Sequence, residues 1–153
     1  TWLIKKVTFL SYHNKLLKES VFELIKLYSD AAVNQHTGHT AIGLLIVHDG
    51  KQIQLKKVIE PMNNHRAEFK AAIIGFQQLI KLQINPAELI FFYTDSKIVV
   101  DSLNKQYAKH FEDDVDTLLA LQSKFTTVVN TWIPDSQNMG AHTLALQALH
   151  GAN

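Results

Sequence analysis

Leu89-Ile90-Phe91-Phe92-Tyr93-Thr94-Asp95-Ser96 is the stretch on which the fold turns. Five apolar residues in a row, preceded by the turn-forming Asn85-Pro86-Ala87-Glu88, suit a central strand covered on both faces. The run ends abruptly at Thr94-Asp95-Ser96, and the residues from Ser96 to about Leu103 take up an amphipathic, helical spacing. In open α/β sheets, chemistry collects beyond the carboxyl ends of the strands, where loops carry polar groups to the rim of a rigid core. Asp95 is expected at such a rim.

Upstream, Val21 to Tyr28 is strand-like and runs into Ser29-Asp30-Ala31-Ala32, so a second carboxylate is expected to follow an apolar strand. A polar loop from Asn34 to His39 leads to another apolar strand, Thr40 to His48. Asp49-Gly50 then gives the type I′ hairpin signal, which predicts that Lys51 to Glu60 returns antiparallel. After Pro61, Asn64 to Lys81 has helical spacing, with Phe69, Ile73, Phe76 and Ile80 on one stripe. Glu68 falls in line with Ala72, Gly75 and Leu79, on a face suited to packing against a sheet. A carboxylate that faces inward is costly unless a cation or a donor meets it.

Downstream, residues 105–110 form a connector and Asp113 to Phe125 an amphipathic helix, followed by a β-branched strand from Thr126 to Ile133. Pro134 stops that strand, and a loop over residues 135–140 opens the last helix, whose face is Ala141, Leu144, Ala145, Ala148 and Leu149 and whose first turn holds His142. The element order is β-β-β-α-β-α-α-β-α. Parallel pairing of the Asp30 and Asp95 strands would bring both carboxylates to one edge of the sheet, where Glu68 could join them. Residues 1–20 read as a helical extension with Leu3, Val7, Leu10 and Leu17 on a stripe. They would serve for packing, or as the link to an upstream domain or protein partner, and residues 21–153 would form the domain proper.

A chain of 153 residues with 46% hydrophobic and 19% charged residues suits one well-buried domain. No apolar run approaches the roughly 20 residues of a membrane span. With no cysteine there is no disulfide framework, which fits an expected cytoplasmic setting. The net charge of +1 gives no broad basic face, so nucleic-acid binding would rest on local patches and bound cations.

Three acidic side chains converging from separate elements provide the hard oxygen ligands that Mg²⁺ or Mn²⁺ takes. Two such ions about 3.5–4 Å apart can activate water and stabilise the leaving oxygen of a phosphodiester. At this point the sequence resembles the type I ribonuclease H family, whose fold is shared with the nuclease domain of reverse transcriptases. Tyr28-Ser29-Asp30-Ala31-Ala32, Asn64-His65-Arg66-Ala67-Glu68 and Tyr93-Thr94-Asp95-Ser96 resemble three of its motifs. Trp132-Ile133-Pro134, with Gln137-Asn138 and Ala141-His142-Thr143-Leu144-Ala145, resembles the fourth.

The resemblance implies an α/β, ribonuclease H-like fold: a five-stranded mixed sheet with helices on both faces. It further implies metal-dependent cleavage of the RNA strand of an RNA-DNA hybrid, with Asp30, Glu68 and Asp95 as ligands of two Mg²⁺ or Mn²⁺ ions. His142 would then be a fourth ligand or an aid to product release. Strand discrimination needs contacts to 2′-hydroxyls, which Asn64, His65 and Gln137 could supply.

Two departures from the family pattern bear on activity. His142 stands where the family carries a fourth carboxylate, in Ala-Asp-x-Leu-Ala. Imidazole is a poor Mg²⁺ ligand and a better Mn²⁺ ligand, which predicts weakened occupancy of one metal site and a preference for Mn²⁺. The segment from Asn104 to Asp114 is short and ends in Glu112-Asp113-Asp114, where bacterial relatives often carry a basic protruding helix. The alternative reading is therefore a non-catalytic module that keeps the fold and binds nucleic acid or protein. Taken singly, Asp30 or Asp95 could equally be a helix-cap or turn residue.

Overall fold

A computed structural model describes residues 24–152. The elements in chain order are β1 (Leu24–Val33), β2 (Thr40–His48), β3 (Lys51–Ile59), α1 (Asn64–Lys81), β4 (Leu89–Thr94), α2 (Lys97–Lys105), α3 (Glu112–Gln122), β5 (Thr127–Trp132), a 3₁₀ turn (Asp135–Gln137) and α4 (Met139–Gly151). The expected order of strands and helices is the observed one. The expected extension over residues 1–20, and its boundary with the domain, lie outside the described residues.

The five strands form one sheet in the order β3-β2-β1-β4-β5. β1, β2 and β3 are antiparallel neighbours, whereas β4 runs parallel to both β1 and β5. Asp49 and Gly50 turn the β2–β3 hairpin with φ of 51° and 68°, both in the left-handed region that a type I′ turn demands. On one face, Ile25 and Leu27 of β1 and Ile90 and Phe92 of β4 pack against Phe69, Phe76 and Leu79 of α1, with Val99 of α2 and Leu118 of α3 closing the core. On the other face, Ala145 and Leu149 of α4 pack against Ala32 of β1 and Ala41 of β2. Helices thus cover both faces, as the family resemblance implied. No helix among the described residues is long and apolar enough to cross a membrane.

Local chemistry accounts for the element ends that position the site. The side chain of Asn63 caps α1 by accepting from the Arg66 amide at 2.8 Å, which replaces one of the unpaired donors of the first turn. Between β4 and α2, the Ser96 amide donates to Thr94 Oγ1 at 3.1 Å and holds Asp95 in a fixed bend.

Two boundaries differ from expectation. β1 does not stop before Ser29 but continues to Val33, because β2 keeps pairing as far as Val33↔Thr40 after β4 has ended at Ser29↔Thr94. Asp30 therefore lies beyond the strand end towards β4 and inside the strand towards β2. Helix α3 ends at Gln122 rather than Phe125, although a turn that donates the Phe125 amide to the Gln122 carbonyl still delivers Phe125 into the core.

Candidate active site

The parallel register fixes the two strand-borne carboxylates. Ser29 pairs with Thr94, so Asp30 and Asp95 come one step later on neighbouring strands. Glu68, the fifth residue of α1, reaches the same point. Oxygens from all three carboxylates lie within 4.8 Å of one another. Asp30 and Glu68 are buried at 3% and 7% exposure, and Asp95 is half-buried.

The electrostatics of this cluster are those of anions short of a counter-charge. Burial raises the Asp30 carboxyl above its ordinary value, although hydrogen bonds from His142 and from the Ala31 amide pull it back. Glu68 is pushed well above the ordinary range by burial and by the charges of Asp30 and Asp95. Asp95 is raised to about 6 by burial, then by Asp30 and Asp135. Glu68 Oε2 is fully enclosed and has no hydrogen-bond partner. A buried polar atom without a partner calls for an explanation. Three hard oxygen donors, one of them an orphan, fit a divalent cation chemically.

His142 joins the cluster through Asp30. Its Nδ1 lies 2.8 Å from Asp30 Oδ2, and its side chain is 41% exposed. Asp30 Oδ1 accepts from the Ala31 amide at 2.9 Å, so both oxygens of Asp30 are engaged.

What lets α4 come this close is Gly43, the β2 residue paired with Asp30. A Cβ there would lie 2.1 Å from the Ala141 carbonyl oxygen and 2.6 Å from the Ala145 nitrogen. Both of those atoms belong to backbone and cannot swing aside. Gly43→Ala is expected to force α4 off the sheet, destabilise the chain by at least about 1–3 kcal/mol and part His142 from Asp30. Urea unfolding checks the stability loss, and the chemical shifts of the His142 ring check the separation.

Among the residues expected to meet substrate, Asn64 and His65 line a cleft of about 310 Å³ together with Glu68, Asp95, Ser96, Lys97, Ile98 and Asp135. Gln137 is not among those lining residues and sits exposed on the 3₁₀ turn.

Sequence reasoning gave no supporting role to three residues that hold the site together, although Trp132 and Asn138 fall within the fourth motif. Asn138, 1% exposed, donates from Nδ2 to the Ser29 carbonyl at 2.9 Å and also lowers the Asp95 carboxyl by hydrogen bonding. Trp132 donates its ring N–H to the Asp95 carbonyl at 3.0 Å. Gly43 left one readable signal, a glycine inside an apolar strand, which marks close approach of another backbone.

Comparison with known proteins bears on the family and the fold. Residues 28–148 match the family described as reverse transcriptase-like. The chain belongs to that family. It is 32% identical over 128 residues to EbsB of Enterococcus faecalis, named as a candidate hydrolase, a match that covers 82% of this chain and 94% of that relative. It is 31% identical over 87 residues to the ribonuclease H of Trichodesmium erythraeum, covering 57% of this chain and 52% of that enzyme. The match therefore spans about half the length of that ribonuclease H. The crystal structure of LC11-RNase H1 in complex with an RNA/DNA hybrid superposes with a TM-score of 0.75 at 19% identity, over 84% of this chain and 98% of that one. The ribonuclease H fold implied by the four motifs is the fold of this chain.

Proposed function

We propose that the chain is a divalent-metal-dependent endonuclease that hydrolyses the RNA strand of RNA-DNA hybrids. The observation that carries this reading is the meeting of Asp30, Glu68 and Asp95 within 4.8 Å around a buried, unpartnered Glu68 oxygen. The ribonucleases H to which the chain is similar, and the hybrid bound by LC11-RNase H1, support the choice of substrate.

In this reading Asp30, Glu68 and Asp95 hold Mg²⁺ or Mn²⁺. Bound metal supplies an activated water and neutralises charge that develops on the phosphate. Glu68, anchored in α1, orients the attacking water from the core side of the cleft. The His142 ring meets Asp30 through Nδ1, so Nε2 is the nitrogen that would serve as a further ligand or pass a proton to the departing 3′-oxygen. Asn64 and His65, which line the cleft with Glu68, would contact 2′-hydroxyls in this reading. Gln137 would contribute only from its exposed turn.

Two observations favour the rival reading, a non-catalytic module. An imidazole occupies the corner where the family has a carboxylate, and α2 passes to α3 through the short stretch 106–111 with no basic protrusion.

Cleavage of a labelled RNA-DNA hybrid in Mg²⁺ and in Mn²⁺, by the wild type and by Asp95→Asn, tests the proposal. The wild type is expected to cut, faster in Mn²⁺, and the variant to lose about 10²–10³-fold or more, as when one preorganised electrostatic group is removed. Cleavage that survives Asp95→Asn would exclude this mechanism.

A further inference from the structure

The segment between β5 and α4 is tied to the strand ends from both sides. On one side, the Trp132 ring donates to the Asp95 carbonyl and the Ile133 amide to the Thr94 carbonyl, each at 3.0 Å. On the other, Asn138 donates to the Ser29 carbonyl at 2.9 Å and hydrogen-bonds the Asp95 carboxyl. Between these anchors the 3₁₀ turn closes on itself. The Gln137 amide donates to the Pro134 carbonyl at 2.8 Å and the Asn138 amide to the Asp135 carbonyl at 2.9 Å. Asp135, the first residue of the turn, is thereby held in a set position.

That position is on the acidic cleft. Asp135 lines it together with Glu68, Asp95 and Lys97. The Asp95 carboxyl, raised by burial and by Asp30, is raised further by the charge of Asp135. Asp135 itself is exposed and stands outside the 4.8 Å group of Asp30, Glu68 and Asp95. Among the described residues it forms no ion pair, with Lys97 or any other. The anion therefore adds to the repulsion on Asp95 without a compensating bond, and charge balance within the protein does not account for it.

A hydrated cation does account for it. Glu68 Oε2, enclosed and without a partner, belongs to the same cleft and calls for a positive charge there. Mg²⁺ dehydrates reluctantly and keeps several waters when carboxylates bind it. Those waters donate, and a carboxylate just beyond the direct ligands is the natural acceptor. His142 meets the cluster at Asp30, whereas Asp135 meets it at Asp95. The negative charge missing at position 142 is thus supplied from the opposite side.

We propose that Asp135 is the fourth carboxylate of this site, accepting hydrogen bonds from the water shell of the divalent cation that Asp30, Glu68 and Asp95 hold directly. The role rests on the reading of those three carboxylates as metal ligands.

Mn²⁺ titration of the full chain by calorimetry, without nucleic acid, tests it in Asp135→Asn, Asp135→Glu, Asp95→Asn and Asp49→Asn. Asp49→Asn removes the same charge at the β2–β3 turn, far along β1 from Asp30, and Asn-Gly keeps the type I′ geometry. Asp135→Asn is expected to weaken binding about 10–100-fold, as loss of a group supporting a metal ligand does. Asp135→Glu should recover most of this, and Asp49→Asn should bind like the wild type. The ratio between wild type and Asp135→Asn should persist at about 1 M salt, where screening acts over about 3 Å, because a hydrogen bond to a metal-bound water is short-range. Without metal, the melting temperature of Asp135→Asn should equal or exceed that of the wild type, since one anion leaves a repulsive cluster. Unchanged affinity in Asp135→Asn would overturn the proposal and leave the three ligands standing. So would a loss that vanishes at high salt or is matched by Asp49→Asn, since Asp135 would then act only as a distant charge. Unchanged affinity in Asp95→Asn would instead remove the reading of the three carboxylates, and the role of Asp135 with it.

Discussion

Replacing Glu68 with glutamine is expected to abolish cleavage and, in the absence of metal, to make the protein more stable. The folded chain holds the Asp30, Glu68 and Asp95 carboxyls at raised pKa, so it keeps protons that the unfolded chain releases. Such groups stabilise the fold fully below the ordinary carboxylate range of about 4. That contribution is lost as pH rises through the folded values, about 6 for Asp95 and a raised value for Glu68. Metal-free stability should therefore fall between about pH 4 and pH 7, and saturating Mg²⁺ or Mn²⁺ should cancel the fall. Glu68→Gln removes the most enclosed of the charges. It also turns a carboxylate oxygen that has no partner into an N–H₂ group beside two acceptors. At pH 8 without metal, the melting temperature should rise by at least about 2–4 °C, the shift that roughly 1 kcal/mol produces in a domain of this size. Hybrid cleavage should drop about 10²–10³-fold or more. A lower melting temperature at pH 8 would mean that the cluster is not repulsive. Retained cleavage would mean that Glu68 is not part of the machinery.

The scaffold of this site could be read from periodicity, because the physical constraints on it are local. An unbroken apolar run such as Leu89 to Tyr93 has few alternatives to a central strand, and the stripe of Phe69, Ile73 and Phe76 has few alternatives to a helix. Asp-Gly at positions 49 and 50 specified a turn through backbone sterics alone. The position of Asp30 was harder, since its strand ends at different residues for its two partners and only the pairing reveals that. Asn138 and Trp132 were illegible as supports for a different reason. Each acts on a backbone carbonyl far away in the chain, Ser29 and Asp95 respectively, and a carbonyl has no sequence signature. Gly43 signals only that some backbone comes close, and the helix it admits arrives about a hundred residues later. The helix from Asp113 was readable, yet the ion pair of Asp114 with Arg66 at 3.5 Å, which ties α3 to the front of α1, was not.

His142→Asp is expected to shift the enzyme from Mn²⁺ towards Mg²⁺. The imidazole lies 2.8 Å from Asp30, so a carboxylate on the same backbone enters the edge of the acidic cluster and adds a hard oxygen where a nitrogen now stands. Mg²⁺ affinity should rise by about 10–100-fold, the range over which the groups around a metal ligand are known to act. The ratio of Mn²⁺- to Mg²⁺-supported cleavage should fall accordingly. The same change removes the donor that now lowers the Asp30 carboxyl and puts a like charge in its place, so the metal-free variant should be less stable than the wild type at pH 8. Titration calorimetry with each metal and thermal unfolding without metal measure the two effects separately. If affinity rises and cleavage rises with it, His142 limits a nuclease that is otherwise complete. If the wild type is silent in both metals and the variant cuts, the natural chain is the non-catalytic module, with the imidazole as the change that silenced it. If Mg²⁺ binds no better and stability still falls, the imidazole serves only to neutralise Asp30, and metal preference is set by the three carboxylates alone.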